Sequence, residues 1–211
     1  IDQIKASGVQ LSVTQAQADQ IISSAGLSFV GADAVTLVLN SANSNISPLT
    51  ADIGGLRLLK SGGIDLIASN AGETITLAYA NAKNVADAGL RFRDSNTVRA
   101  QLDGNTIKEL SVDLSGSPID ATTLEGSAAI RASALALKNA GIDILMAQSG
   151  ELSLSVPQVR ALTGIGDGVV LLKLEPTDNV LATIRISADS NADLDYLSNF
   201  SVSLKNAGVD Q

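Results

Sequence analysis

One short phrase recurs along this chain of 211 residues: a small residue, glycine, an apolar residue, any residue, and a second apolar one. It stands at Ser7-Gly8-Val9-Gln10-Leu11, Ala25-Gly26-Leu27-Ser28-Phe29 and Gly62-Gly63-Ile64-Asp65-Leu66. It returns at Ala88-Gly89-Leu90-Arg91-Phe92 and Ala140-Gly141-Ile142-Asp143-Ile144, and a sixth copy opens at Ala207-Gly208-Val209-Asp210. A repeat restricts the fold strongly, because one copy cannot bury its own apolar face and its neighbours must complete the core. Glycine closes a helix by taking the left-handed conformation after the last turn, and apolar-x-apolar has the period of a strand. The phrase therefore predicts a helix end feeding a strand.

The residues before each glycine agree. Ala18, Ile21, Ile22 and Ala25 share one helical face before Gly26, and Ile46, Leu49, Ile53, Leu56 and Leu59 share one before Gly62. Ile130, Ala134 and Leu137 precede Gly141, and Leu194, Leu197 and Leu204 precede Gly208. Two near copies, Leu11-Ser12-Val13-Thr14-Gln15 and Leu154-Ser155-Val156-Pro157-Gln158, mark helix starts. Ser12 and Ser155 are the expected N-caps, each with Gln three residues on, and Pro157 is tolerated in a first turn. Leu77-Ala78-Tyr79-Ala80-Asn81 holds the equivalent place with weaker capping chemistry. Strands are expected at Val35–Leu39, Val98–Leu102, Val169–Leu174 and Leu181–Ile186.

Gly63, Gly89 and Gly141 stand one and then two steps of about 26 residues apart. A degraded copy, Gly116-Ser117-Pro118-Ile119-Asp120, falls where the intervening one belongs. The expected fold is α/β, a repeat-built, solenoid-like stack of strand–loop–helix units with a parallel sheet. It forms a single domain over residues 1–211, with units beginning near 8, 26, 63, 89, 116, 141, 168 and 208. The alternative is a compact two-layer α/β domain with internal duplication. Both ends lie in repeat material without polar caps, which leads us to expect a fragment of a longer protein whose neighbouring repeats are its partners.

The chemical inventory is narrow. The chain has no His, Cys or Trp, two Tyr and three Phe. The usual zinc, copper, haem and iron–sulfur ligand sets cannot form, nor can a Ser-His-Asp triad or a Cys-His pair. So few rings also disfavour sugar-stacking platforms and single-strand nucleic-acid sites. With 14 Lys and Arg against 22 Asp and Glu, the net charge of −8 repels phosphate backbones, so no nucleic acid is expected. No apolar run reaches the 18 or so residues of a membrane span, so no membrane insertion is expected.

The run Leu11-Ser12-Val13-Thr14-Gln15-Ala16, followed by Ala25-Gly26-Leu27-Ser28-Phe29 and Ala34-Val35-Thr36-Leu37, resembles repeats of very large secreted bacterial adhesins, including calcium-associated proteins exported by type I systems. The acidic, Cys-free, aromatic-poor composition resembles them too. The resemblance implies an extracellular or cell-surface role in adhesion, biofilm or spacing, with a cell-surface or matrix ligand as a further candidate partner. The glycine-rich calcium nonapeptides of that family are absent here, and so is the core pattern of leucine-rich repeats.

Candidate sites are few. Asp189, Asn191, Asp193 and Asp195 place oxygens at alternate positions, as a calcium loop begins. Leu194 stands where such a loop turns on glycine and Phe200 where it needs a bidentate Glu, so the competing reading is an acid-rich helix start. The Asp after Gly-Ile, at Asp65, Asp143, Asp210 and a degraded Asp120, would form a row in a stack, read as a cation ladder or as turn hydrogen bonding. Gly164-Ile165-Gly166-Asp167-Gly168 precedes a strand and lacks the Lys-Ser/Thr pair of a phosphate loop, so it reads as a turn. Thr36, Thr74 and Thr76 suit flat strand rows or simply strand propensity. Paired carboxylates are the remaining catalytic device, and no pair stands out. The expectation is a non-enzymatic structural or adhesive segment without a cofactor. The alternative is a calcium-dependent glycan- or receptor-binding module, and a polysaccharide-processing fragment stands third.

Overall fold

The computed structural model describes residues 3–5, 10–20, 26–30, 34–39, 46–70, 72–102, 124–146, 151–175 and 183–209. The fold is α/β with parallel strand pairing. The chain opens with β1 (Gln3–Lys5), β2 (Leu11–Thr14) and α1 (Gln15–Asp19), then β3 (Ser28–Val30), β4 (Val35–Val38) and the broken helix α2 (Ile46–Ala51) and α3 (Ile53–Ser61). Next come β5 (Leu66–Ala68), β6 (Thr74–Ala78) and α4 (Tyr79–Asp87), then β7 (Arg91–Phe92), β8 (Thr97–Gln101) and α5 (Leu124–Asn139). It closes with β9 (Ile144–Met146), β10 (Glu151–Ser155) and α6 (Val156–Thr163), then β11 (Lys173–Glu175), β12 (Thr183–Ser187) and α7 (Asn191–Asn206).

The order is strand, strand, helix each time, where strand–loop–helix was expected. The glycine phrase supplies a short first strand, and the alternating run after it supplies a second. Short and long helical segments also alternate. The short helices α1, α4 and α6 start on the residue after their strand, whereas the long ones follow a connection.

The chain divides into two compact units, Ile1–Val98 with Asn139–Gly141, and Arg99–Lys138 with Ile142–Gln211. In the first, β2, β4, β5 and β7 lie side by side in that order, all parallel. The register sets Leu37 beside Ile67 and Ile67 beside Phe92, and all three are fully buried. Aligned residues of neighbouring strands point to one face, so this row forms a buried face of the sheet, while on the other face Thr36 and Leu66 are buried and Arg91 is exposed. β1 pairs with β3 separately. Helix α4 lies on α2, where Asn81 and Asn84 donate side-chain hydrogen bonds to the carbonyls of Ser47 (3.3 Å) and Thr50 (3.0 Å). In the second unit β8, from Arg99 onward, pairs with β9 and β9 with β11, so that Ala100, Leu145 and Leu174 form the matching buried row. There β10 pairs with β12.

The three long helical segments end alike. Lys60-Ser61-Gly62-Gly63-Ile64, Lys138-Asn139-Ala140-Gly141-Ile142 and Lys205-Asn206-Ala207-Gly208-Val209 close them, with the glycine at φ 89°, 77° and 91°. In each case the amide after the glycine donates back over the last turn, Ile64 to Leu59, Ile142 to Leu137 and Val209 to Leu204, all at 3.0 Å. That is the six-to-one bond of a Schellman closure. Each end is also seated on a first strand. Phe29 N–H donates to Gly62 O (2.7 Å), Phe92 N–H to Ala140 O (2.8 Å) and Leu174 N–H to Ala207 O (2.7 Å). A Cβ on Gly63, Gly141 or Gly208 would fall under 3.0 Å from the carbonyl oxygen of Phe29, Phe92 or Leu174 respectively. Glycine is therefore required there twice over, by dihedral angle and by close approach.

Several expectations need correcting. The N-cap of α1 is Thr14, not Ser12. Leu11-Ser12-Val13-Thr14 keeps strand alternation to its end, and the reciprocal cap pairs Thr14 with Gln17 (Thr14 N–H to Gln17 Oε1, 2.8 Å). The Ser155 start holds, with its N–H donating to Gln158 Oε1 at 2.7 Å. The face from Ile46 to Leu59 lies on two helices, because Asp52 adopts extended backbone (ψ 91°) just ahead of Gly54-Gly55. On α7, Leu204 is buried but Leu194 is 56 % exposed, and Tyr196 takes the inward position instead. Val169 and Val170 precede β11 without joining it. The phrase copies at Gly8 and Gly116, the helical positions Ile21, Ile22 and Ala25, and the acids Asp120 and Asp210 lie outside the described residues.

Candidate interaction surfaces

The acids proposed for calcium sit at the start of α7. Ser190 is its N-cap, its Oγ accepting from Asp193 N–H (3.2 Å), while Asp193 Oδ2 accepts from Ser190 Oγ (2.9 Å) and from Asp189 N–H (3.1 Å). Asp193 is thus turned back to cap the helix, where a carboxylate also suits the positive end of the dipole. Among the described residues no three acids are grouped so as to hold a metal ion.

The recurrent Asp forms ion pairs. Asp65 meets Lys60 (2.7 Å) and Asp143 meets Lys138 (3.2 Å), each partner lying five residues earlier in the last helical turn. Both pairs are about two-fifths exposed, so each contributes well under ~1 kcal/mol. The lysine gains besides from the negative end of its helix. Thr36 is buried and accepts from Arg93 (3.1 Å), which removes it from any exposed threonine row. The corresponding strand positions in the second unit carry a charged pair, Arg99 Nε to Glu175 Oε2 at 2.6 Å.

Other polar groups tie loops down. The buried Asn96 accepts from Ser69 N–H (3.2 Å) and donates to the carbonyl of Asn70 (2.9 Å). Glu73 is held below the usual carboxylate range by donors from Ser69 and Asn70.

The segment Gly164–Gly168 is the expected turn, with Gly164, Gly166 and Gly168 at positive φ. It carries Asp167 to Arg160 (2.7 Å) and Arg131, and the guanidinium hydrogen bond from Arg160 leads in lowering its pKa. Tyr196 donates to the carbonyl of Ile165 (2.9 Å) and lies 5.0 Å from the Phe200 ring. Beside this turn, still within the second unit, is an apolar groove of about 620 Å³, lined by Gly166, Val169, Val170, Leu172, Phe200 and Ala207 among others. Val170 is 80 % exposed on its rim. The sequence reading missed this groove, because the two valines read as strand. A smaller one, about 240 Å³, lies between α1 and the α2–α3 pair in the first unit. The larger groove, with apolar walls and few polar groups, suits contact with another apolar surface, whereas the smaller is lined by Asp19 and Asp52 beside Ala18, Leu49, Leu58 and Leu59.

The remaining surface feature is backbone. Among the described residues β1 pairs only with β3, and β12 only with β10, leaving one edge of each unmatched. No helix among the described residues is long and apolar enough to cross a membrane. No family model matches this chain, and neither a curated protein nor a solved structure is similar to it.

Proposed function

We propose that this chain is a non-enzymatic structural segment of an extracellular bacterial surface protein, a scaffold or spacer built of stacked strand–strand–helix modules in solenoid fashion. The observation that carries the reading is the glycine seat, in which a helix end meets a first strand at Phe29, Phe92 and Leu174. A module closed by its own helix end and sharing a sheet with the next is the arrangement a linear scaffold requires. The acids already noted, held in ion pairs and helix caps, support a mechanical role over a chemical one. The extracellular placement rests on the adhesin resemblance and on a composition free of Cys and His.

In such an array each added module contributes a stabilising interface with its neighbour. Appending a further copy of residues 142–208 should therefore raise the melting temperature, read by circular dichroism. A lengthened chain that melts at or below the temperature of the 211-residue chain would overturn the stacked reading.

A further inference from the structure

The modules share sheets in a fixed way. In the first unit the second strand β4 accepts the first strand β5 along its outer edge, and the bond that closes the pair runs from Leu39 N–H to Ala68 O at 2.9 Å. In the second unit β8 accepts β9 likewise, closed by Leu102 N–H to Met146 O at 2.9 Å. The donor is each time the residue after the second strand, and the acceptor is the last residue of the following first strand. In the first unit's four-stranded sheet the second strands β2 and β4 lead into the first strands β5 and β7, whereas among the described residues the second strands β10 and β12 lead into no first strand and the first strands β1 and β3 follow no second strand. β12 is a second strand followed by Ala188, and β1 is a first strand ending at Lys5.

Burial points the same way. Leu37 and Ala100, two residues before the donor, are fully buried, but Ile186 in that position is half-buried. Ile67 and Leu145, one residue before the acceptor, are also buried, but Ile4 in that position is half-buried. The register pairs Leu37 with Ile67 and Ala100 with Leu145, so Ile186 and Ile4 are the two halves of one missing pair.

We infer that the outer edge of β12 takes β1 of a second copy of this chain, head to tail and parallel. Ala188 N–H donates to Lys5 O, and Ile186 covers Ile4. The inference rests on the modular reading above and adds a self-association that the reading does not require. Donor and acceptor edges differ, so the contact is heterologous and does not stop at a dimer. An unpaired strand edge is the usual template for such addition.

The test uses two blocked ends. Ala188→Pro removes the donor N–H on the β12 side, and Ile4→Asp places a charge in the buried pair on the β1 side. Light scattering after size exclusion, over rising concentration, should give the unaltered chain a mass climbing above 21.5 kDa without a plateau at two chains. Each variant alone should stay at 21.5 kDa, while an equimolar mixture should reach two chains and stop, since one free β12 edge and one free β1 edge remain. Melting temperatures close to that of the unaltered chain certify the fold, and Ile186→Asp replaces Ala188→Pro if proline lowers it. An unaltered chain that stays at 21.5 kDa throughout, variants that associate as it does, or a mixture that remains monomeric would each overturn the docking. A folded, monomeric chain would leave the modular reading standing, because that depends on the melt of the lengthened chain.

Discussion

Glycines that look alike in the sequence do different work. Gly26 and Gly63 both stand second in the phrase at positive φ, 61° and 89°, but a Cβ on Gly26 would meet nothing within 4 Å. On Gly63 it would run into the backbone of Phe29. Alanine at either site bears the left-handed conformation, about 1–2 kcal/mol. Only at Gly63 must a strand or a helix end also move. Gly26→Ala should therefore cost ~1 kcal/mol, and Gly63→Ala at least ~2 kcal/mol more, by urea denaturation. Equal losses would mean that the close approach to Phe29 carries no energetic weight. The phrase made the need for glycine legible. The carbonyl beneath it was not, because Phe29 lies in the strand that opens the same module and no local pattern records which strand a helix end will meet.

Elements were readable where one periodicity ran uninterrupted. The stretch Val35–Leu39 holds the strand Val35–Val38, and the face Ile130, Ala134 and Leu137 lies buried on α5, because an apolar run or a single apolar face held there. The reading slipped where two elements abut without a turn. At Val13-Thr14-Gln15 strand passes directly into helix, and the first Ser drew the cap two residues early. It slipped again on α7, whose inward position is taken by an aromatic that binds a loop. Tyr196 docks that helix on the Gly164–Gly168 turn, and burial pushes its phenol up to about 12, with Arg160 lowering it and Asp167 raising it to smaller extents. A phenol whose folded pKa lies above its unfolded value near 10 contributes stability in full below pH 10. That contribution fades as pH rises from 10 to 12. Tyr196→Phe should lose roughly 1 kcal/mol at neutral pH with the hydrogen bond, yet fall less steeply than the parent chain between pH 10 and 12. Every other group is common to the two proteins, so the difference between the two curves isolates the phenol. Parallel curves would show that α7 is not held through Tyr196.

At the scale of the whole molecule the recurrence was legible and its unit was not. Glycine phrases mark helix ends, but two helices of different length alternate, so equal steps along the sequence do not correspond to equal structural positions. The ends of α3, α5 and α7 show the true correspondence, since Lys60, Lys138 and Lys205 occupy one structural place. The same correspondence decides what calcium should do. A bound ion stabilises the folded chain only through ligands that folding assembles, and calcium needs six or more oxygens. Folding instead gives Asp65 and Asp143 to lysines, Asp167 to two arginines, Glu73 to Ser69 and Asn70, and Asp193 to the cap of α7. With a net charge of −8, divalent ions will still screen self-repulsion, and magnesium does that as well as calcium. Melts in EDTA, in magnesium and in calcium at matched ionic strength should therefore give the same midpoint for the two metals. A midpoint several degrees higher in calcium alone would require a built site, and Asp189→Asn with Asp195→Asn would then show whether the start of α7 provides it. If the shift survived that double substitution, the ligands would lie elsewhere in the chain, and a fold stiffened by calcium would replace one held by packing alone.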